Sequence, residues 1–137
     1  MSRSSKKARY RLVAHPAVAD DIGALTEYGP DVVAVARAVL DDLAHGRVTG
    51  KQLGMRRVTG DLTGLARVKF DVPGSGTPRF RLLYADVDAS TRGVLAIGVR
   101  DEHAIYRMAA ERIAAREAAA RHEQEGSRGT TAAENRS

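Results

Sequence analysis

The clearest pattern in the chain is a pair of segments, LARVKF and RFRLLYADV, in which apolar residues alternate with other residues as they do along β-strands. In the first segment, Arg67 and Lys69 fall on one face. In the second, Arg79 and Arg81 share a face that lies opposite an apolar one. The apolar run GVLAIGV follows and predicts a buried strand that ends just before Arg100. Side by side, such strands form a sheet with one apolar face and one positively charged face.

The region before these strands shows apolar residues at helical spacing. YRLVA alternates like a short strand and ends at His15 and Pro16, because the residue before a proline avoids helical backbone angles. A helix is predicted from Ala17 to Gly29, and a second begins at Pro30, where proline suits the first turn. Helices joined so closely form an antiparallel hairpin, whose apolar side we expect to pack on the sheet.

Two further segments complete the expected architecture. Residues 46–64 are rich in glycine and basic residues and predict a loop with at most a short edge segment, while DVPGSGTP predicts a long hairpin loop. After Arg100, an alanine-rich sequence predicts a helix through Ile113 that continues to Arg121. The order β-α-α-β-β-β-α predicts an α+β fold whose helices, a hairpin and a C-terminal helix, pack on one face of a mostly antiparallel four-stranded sheet.

The length of 137 residues suits one domain with one hydrophobic core. We assign this domain to residues 9–121. Residues 1–8 and 122–137 are polar and lack apolar anchors, so both are predicted to be disordered. The chain has no cysteine, which excludes disulfides and thiolate-bound metals. Since no apolar run is long enough to span a bilayer, we expect a cytoplasmic protein without membrane contact.

The net charge of +5 is unevenly distributed along the chain. The segment from Ala17 to His45 contains six acidic residues and one arginine. The segment from Gly46 to Gly60 contains four basic residues and no acidic one. A molecule with one basic face binds polyanions, or an acidic protein that covers that face.

The four histidines, His15, His45, His103 and His122, offer no metal site and no general base with a paired acid. No two of them have the spacing of metal ligands, so we assign them structural or solvent roles. The sequence also lacks a recognisable Ser/His/Asp arrangement. We therefore expect neither a metal nor a cofactor.

The clustered cations are themselves candidates for catalysis. Cleaving an RNA phosphodiester without a metal requires deprotonation of the 2′-hydroxyl, protonation of the 5′-oxygen and stabilisation of the phosphate charge. A lysine among other cations has a lowered pKa and is a conceivable base, and arginines bind phosphate oxygens. Spacing alone nevertheless favours the simpler alternative, a solvated or merely RNA-binding face.

The segments ARVKF, RFRLLYADV and AIGVRDEHAIY resemble the closing strands of the RelE branch of the RelE/ParE toxin superfamily, and the resemblance extends from Tyr10 to Ile113. It implies the toxin of a type II toxin–antitoxin system. Such a toxin is a ribosome-dependent, metal-independent endoribonuclease that cleaves translated mRNA by 2′-hydroxyl attack. Its implied partners are a cognate protein antitoxin, rRNA of the ribosomal A site, and mRNA.

The resemblance also implies roles for individual residues. Lys69 is the expected base and Arg100 the expected acid, Arg67 and Arg81 stabilise the phosphate, and Tyr106 positions a base or the backbone. The residues expected to contact RNA around this set are Arg56, Arg57, Arg79 and Arg107.

Three features depart from the family pattern: Arg67 replaces a lysine, the DVPGSGTP loop is long, and the final helix extends well beyond Tyr106. Two alternatives therefore remain open. One is a ParE-like inhibitor that acts by binding DNA gyrase. The other is a catalytically inactive relic that binds RNA or an antitoxin.

Overall fold

The structure, a computed structural model, describes residues 8–56, 60–61, 64–100 and 104–136. It contains a five-stranded sheet, a separate two-stranded ribbon and three α-helices. In chain order the elements are β1 (Arg11–Ala14), α1 (Val18–Ala24), a 3₁₀ helix (Leu25–Tyr28), α2 (Pro30–Ala44), β2 (Lys51–Gln52), β3 (Met55–Arg56), β4 (Gly60–Asp61), β5 (Leu65–Phe70), β6 (Phe80–Asp88), β7 (Thr91–Val99) and α3 (Ala104–Arg136).

The main sheet has the strand order β1-β7-β6-β5-β2, in which β1 runs parallel to β7 and all other pairs are antiparallel. The predicted α+β class is confirmed, but the sheet has five strands and not four, because β2 adds to the edge of β5. Gly50 permits this addition: a Cβ there would lie 2.7 Å from the Arg67 carbonyl oxygen. The Gly50 amide also donates to the Tyr84 hydroxyl at 3.0 Å.

The helical hairpin covers one face of the sheet, as its apolar spacing predicted. The predicted first helix is divided, since α1 gives way to the 3₁₀ helix before Gly29, whose φ of 104° suits glycine and turns the chain into α2. The buried side chains of this hydrophobic core come from the hairpin and from alternate residues of the strands: Val18, Leu25, Val32, Ala36, Leu43, Ala66, Val68, Phe70, Phe80, Leu82, Tyr84, Val94 and Ile97.

The C-terminal helix α3 packs on the opposite face of the sheet, which corrects the prediction that all helices share one face. Ile105, Tyr106 and Ala109 of α3 are buried in a second cluster that contains Leu65 and Leu83. These two leucines lie on the same sides of their strands as the cations. The start of α3 therefore covers one end of the cationic face.

An ion pair fixes the position of α3 against β7. The Asp21 carboxylate accepts from Arg112 at 2.7 Å and from the Ile97 amide at 3.1 Å, while Arg112 donates to the Leu95 carbonyl at 2.8 Å. These side chains satisfy backbone groups of β7 beyond Val94, where its pairing with β1 ends. Because Arg112 belongs to α3, the same bonds hold the beginning of that helix on the sheet.

The helix α3 continues to Arg136, whereas the sequence predicted a disordered tail over residues 122–137. Residues 109–120 are alanine-rich, which favours helix without needing an apolar face, and the side chains of residues 114–124 are all exposed. The composition of residues 122–137, with two alanines and two glycines, does not itself favour the helix that continues through them. Of the predicted N-terminal disordered segment 1–8, residues 1–7 lie outside the described residues. None of the described helices combines the length and the apolar character needed to cross a membrane.

Candidate active site

Three neighbouring strands bring cations together on the face that α3 partly covers. In the sheet register, Lys69 of β5 lies opposite Arg81 of β6, and Lys51 of β2 lies opposite Arg67 of β5. Like charges directly opposite each other destabilise a sheet. Within the described parts of the chain, none of these four cations forms an ion pair with a carboxylate. The strand alternation predicted this shared face for Arg67, Lys69 and Arg81.

Arg81 is the most deeply buried of these cations, with 2% of its surface exposed. Its Nη1 donates to the carbonyl oxygens of Pro78 and Phe80, both at 2.9 Å. The Nε atoms of Arg81 and Arg67 are also buried, and neither has a hydrogen-bond partner among the described residues. Leaving a buried donor unsatisfied costs about 1–3 kcal/mol. The site therefore contains two unpartnered donors next to each other's positive charge, an arrangement that does not stabilise the fold.

Tyr106 joins the two arginines. Its ring lies within the α3 cluster and is only 5% exposed, and its hydroxyl accepts a long hydrogen bond of 3.4 Å from Arg67 Nη1. Burial would raise the pKa of Tyr106, but hydrogen bonds and positive charge from Arg67 and Arg81 outweigh it and lower the pKa. The buried ring leaves no face on which a nucleotide base could stack, so the expected role of positioning a base or the backbone would have to use the hydroxyl. That hydroxyl contacts the two arginines.

Lys69 is exposed at the open side of the cluster. Its pKa is lowered first by the charge of Arg67, then by Arg81, by partial desolvation, and by Arg100 and Lys51. The neutral amine, the form that accepts a proton, is therefore more populated than for an isolated lysine. The direction is the one expected for a lysine among other cations.

Arg100 follows the last residue of β7 and is exposed. Its amide donates to the Arg79 carbonyl oxygen at 2.6 Å, which ties the end of β7 to the start of β6. Since its charge contributes to the lowered pKa of Lys69, it belongs to the same electrostatic cluster.

Arg79 does not join the cluster. Its guanidinium forms a bidentate ion pair with Asp71 at 2.8 and 3.0 Å and lies 5.0 Å from the ring of Phe80 and 5.9 Å from that of Tyr28. Phe80 belongs to the core beneath the helical hairpin, so this side chain is turned away from the other cations. The prediction that Arg79 shares a face with Arg81 is wrong. The strand β6 begins only at Phe80, so the alternation does not extend to Arg79.

The structure says less about the other residues predicted to contact RNA, which are Arg107, Arg56 and Arg57. Arg107 is exposed on α3, one residue after Tyr106. For Arg56 the structure describes the backbone, in β3, and not the side chain, and Arg57 lies outside the described residues.

The structure adds Lys51 to the set, a residue that the sequence showed only as one of several cations in a basic loop. A strand of two residues has no alternation to detect, so nothing in the sequence pattern linked Lys51 to the cationic face. Asp71 was likewise not singled out. The signal for it was present, because an acid at one end of a hairpin loop and an arginine at the other are placed to pair.

The histidines of the described chain lie apart from this cluster. His15 Nδ1 accepts from the Ala17 amide, and burial followed by the charges of Arg112 and Arg116 lowers the pKa of His15. His45 contacts Asp41 at the end of α2. His103 lies outside the described residues, and those that are described contain no group of three or more His, Cys, Asp or Glu that could hold a metal ion.

Comparisons with known proteins give one relevant likeness. No family model matches the sequence, and no curated protein matches it either. Among solved structures, the chain is similar to a two-residue variant of the E. coli toxin RelE in the free state, at 20% sequence identity and a TM-score of 0.49. This likeness covers 77% of the present chain and 98% of that chain. Because both identity and TM-score are low, the chemistry has to be inferred from the residues of the site alone.

Proposed function

We propose that this chain is the toxin of a type II toxin–antitoxin pair, an endoribonuclease that cleaves mRNA on the ribosome. The observation that carries the proposal is the pair of buried, unpartnered Nε donors of Arg67 and Arg81 beside Lys69, whose pKa is lowered. Fixed arginine donors suit the oxygens of a phosphodiester. A lysine that gives up its proton more readily suits the activation of a hydroxyl.

The reaction requires one proton acceptor and one proton donor. The neutral amine of Lys69 takes the proton of the ribose 2′-hydroxyl, and the 2′-oxygen attacks the adjacent phosphorus. The bond from phosphorus to the 5′-oxygen breaks, and that oxygen receives a proton from Arg100, so the products are a 2′,3′-cyclic phosphate and a 5′-hydroxyl. Arg67 and Arg81 stabilise the charge on the non-bridging oxygens. In this scheme the Tyr106 hydroxyl orients these two arginines.

The roles of acid and base rest on position and charge. Lys69 lies on the exposed side of the cluster, where a substrate ribose has access, while Arg81 lies beneath it. Arg100 stands at the end of the neighbouring strand, on the far side of Arg81 from Lys69 in the sheet order. A phosphate held between them would have one proton-transferring group on each side.

The proposed partners follow from the same surface. An uncovered cationic face attracts rRNA and mRNA, and a toxin of this kind is silenced by an antitoxin that covers the face with an acidic segment. We place this activity in the cytoplasm, where translating ribosomes are found.

The test is a single-turnover cleavage assay on ribosomes programmed with mRNA. Replacing the base in Lys69→Ala should slow cleavage by at least about a hundredfold. The matched control is Arg37→Ala, which removes an exposed cation from α2 on the opposite face and should leave the rate unchanged. Cleavage by Lys69→Ala at the wild-type rate would overturn the mechanism. Absence of cleavage by the wild type, together with inhibition of DNA gyrase, would favour the ParE-like alternative.

A further inference from the structure

The loop between β5 and β6 is closed at its base by Asp71. This carboxylate, whose side chain is 3% exposed, accepts four hydrogen bonds: from Arg79 Nε at 2.8 Å, Arg79 Nη2 at 3.0 Å, the Arg79 amide at 2.9 Å and the Val72 amide at 2.7 Å. Asp71 therefore binds the first and the last residues of the loop together. The Arg79 guanidinium packs on the Phe80 ring at 5.0 Å and adds contact with the core.

Backbone carbonyls at the end of this loop hold two residues of the proposed site, Arg81 and Arg100. The carbonyl oxygens of Pro78 and Phe80 accept from Arg81 Nη1, and the Arg79 carbonyl between them accepts from the Arg100 amide. Three consecutive carbonyl groups thus hold the side chain of Arg81 and the backbone of Arg100. The orientation of these carbonyl groups depends on the backbone of residues 78–80, and Asp71 fixes this backbone through its hydrogen bonds to Arg79.

We propose that Asp71 and Arg79 are positioning residues of the active site, which orient Arg81 and place Arg100 although neither faces the substrate. The inference rests on the proposed function, since it assigns these two residues to the same phosphate site. It also explains why Arg79 is turned away from the cationic cluster. A bidentate pair holds a backbone segment in one geometry better than a single hydrogen bond does.

A second ion pair in the same sheet gives a matched control. Asp86 and Arg92 join β6 to β7 at 3.1 Å, as Asp71 and Arg79 join the two ends of a hairpin loop. Arg92 donates to the carbonyls of Leu43 and Val48, near the end of α2, and to no group of the cationic cluster. Breaking this pair changes charge and stability without touching the carbonyls that hold Arg81.

The kinetic test compares Asp71→Asn with Asp86→Asn in steady-state cleavage, with programmed ribosomes in excess and at varied concentration. We expect Asp71→Asn to lower kcat by at least about tenfold, because small misplacements of a catalytic group are costly. KM should stay the same or fall, since a negative charge is lost near the RNA. Arg79→Lys, which keeps the charge but not the bidentate fork, should show the same loss and replaces Asp71→Asn if that variant does not fold. Asp86→Asn should keep the wild-type kcat.

A double-mutant cycle separates positioning from a general effect. Because Asp71 acts partly through Arg81, adding Asp71→Asn to Arg81→Ala should lower the rate by a smaller factor than Asp71→Asn does alone, the remainder acting through Arg100, since residues that act as a unit are not additive. Full additivity, or a wild-type kcat in both Asp71→Asn and Arg79→Lys, would overturn the inference.

A readout that does not need cleavage distinguishes failure of this inference from failure of the proposed function. The Arg81 Nε–H resonance, followed by ¹⁵N NMR with and without inorganic phosphate, should move in Asp71→Asn and Arg79→Lys and stay in place in Asp86→Asn. If the wild type cleaved no mRNA but the resonance still moved in this way, the positioning role would stand and the proposed reaction would fall. An unmoved resonance in both variants would overturn the positioning role.

Discussion

Arg81 and Arg92 are the two buried arginines of the described chain, and they lie in regions with opposite demands. Arg92 stacks on the ring of Tyr10 at 3.8 Å, pairs with Asp86 and donates to two carbonyl oxygens. Arg81 also donates to two carbonyl oxygens, but it lies opposite another cation, pairs with none of the described carboxylates, and leaves its Nε unpartnered. A cation whose donors the protein satisfies belongs to the structure, whereas one held beside like charges with a donor to spare suits an external anion.

The same contrast divides neighbouring residues of β6. Leu82 points into the core beneath the helical hairpin and is fully buried, while Arg81 belongs to the cationic face. Leu82→Ala should lower the free energy of unfolding by about 2–5 kcal/mol, the usual cost of truncating a core leucine. Denaturant titration measures this loss. A change of less than about 1 kcal/mol would contradict the assignment of Leu82 to the core.

The two buried arginines should respond differently to leucine. Arg81→Leu should slow cleavage at least about a hundredfold, a loss of about 2.7 kcal/mol in transition-state stabilisation. It should also lose about 1–3 kcal/mol of stability, because the carbonyls of Pro78 and Phe80 lose their donor. Arg92→Leu should keep the rate and lose about 1–3 kcal/mol of stability, because two carbonyls lose their donor. Melting curves and single-turnover rates on the same samples test both. Equal effects of the two substitutions on the cleavage rate would contradict the distinction.

The pH dependence of cleavage tests whether the neighbouring cations lower the pKa of Lys69. Since Lys69 acts as a neutral amine, the rate should rise with pH until its lowered pKa is passed. Arg67 is the largest cause of that lowering, so Arg67→Gln should raise the pKa of Lys69 and move the rising limb to higher pH. The position of the limb is the readout, because loss of a phosphate contact lowers the rate at every pH. Arg37→Gln is the control, and an identical limb in wild type and Arg67→Gln would contradict the coupling.

Removal of one hydroxyl tests the link between Tyr106 and the arginines. Tyr106→Phe keeps the ring in the α3 cluster and should change stability by less than about 1.5 kcal/mol, the net value of one hydrogen bond. The rate should fall by roughly tenfold as the arginines lose a common partner. A wild-type rate would show that the hydroxyl orients nothing that the reaction needs.

The smallest effect is expected from the end of α3. Side chains 114–124 are exposed and make no contribution to either hydrophobic cluster. Deleting residues 123–137 should therefore change the free energy of unfolding by less than about 0.5 kcal/mol. A loss above about 2 kcal/mol in thermal melts would show that this segment stabilises the domain.

The sequence predicted those features that depend on periodicity. Alternation in β5 placed Arg67 and Lys69 on one face and Val68 on the other, and helical spacing placed Val32 and Leu43 in the core. In each case one face of a regular element is buried, so the pattern of apolar residues fixes which way the side chains point.

The sequence could not predict features that depend on where elements meet. β2 is too short to show alternation, and the composition of α3 does not reveal which face of the sheet it covers. Alternation was extended one residue too far at Arg79, where the Asp71 pair and not the strand sets the side chain. The tail was expected to be disordered because it lacks apolar anchors, and its composition, with two alanines and two glycines, gives no signal for the helix that continues through it.

The most direct test of the central claim is to map mRNA ends in a translating extract after addition of the purified protein. We predict new 5′-hydroxyl ends within translated coding regions, which depend on active ribosomes and disappear with Arg81→Leu but persist with Arg92→Leu. If the wild type produced no new ends while translation continued, or if Arg81→Leu produced the same ends as the wild type, the cationic face would not be the active site of a ribosome-dependent endoribonuclease.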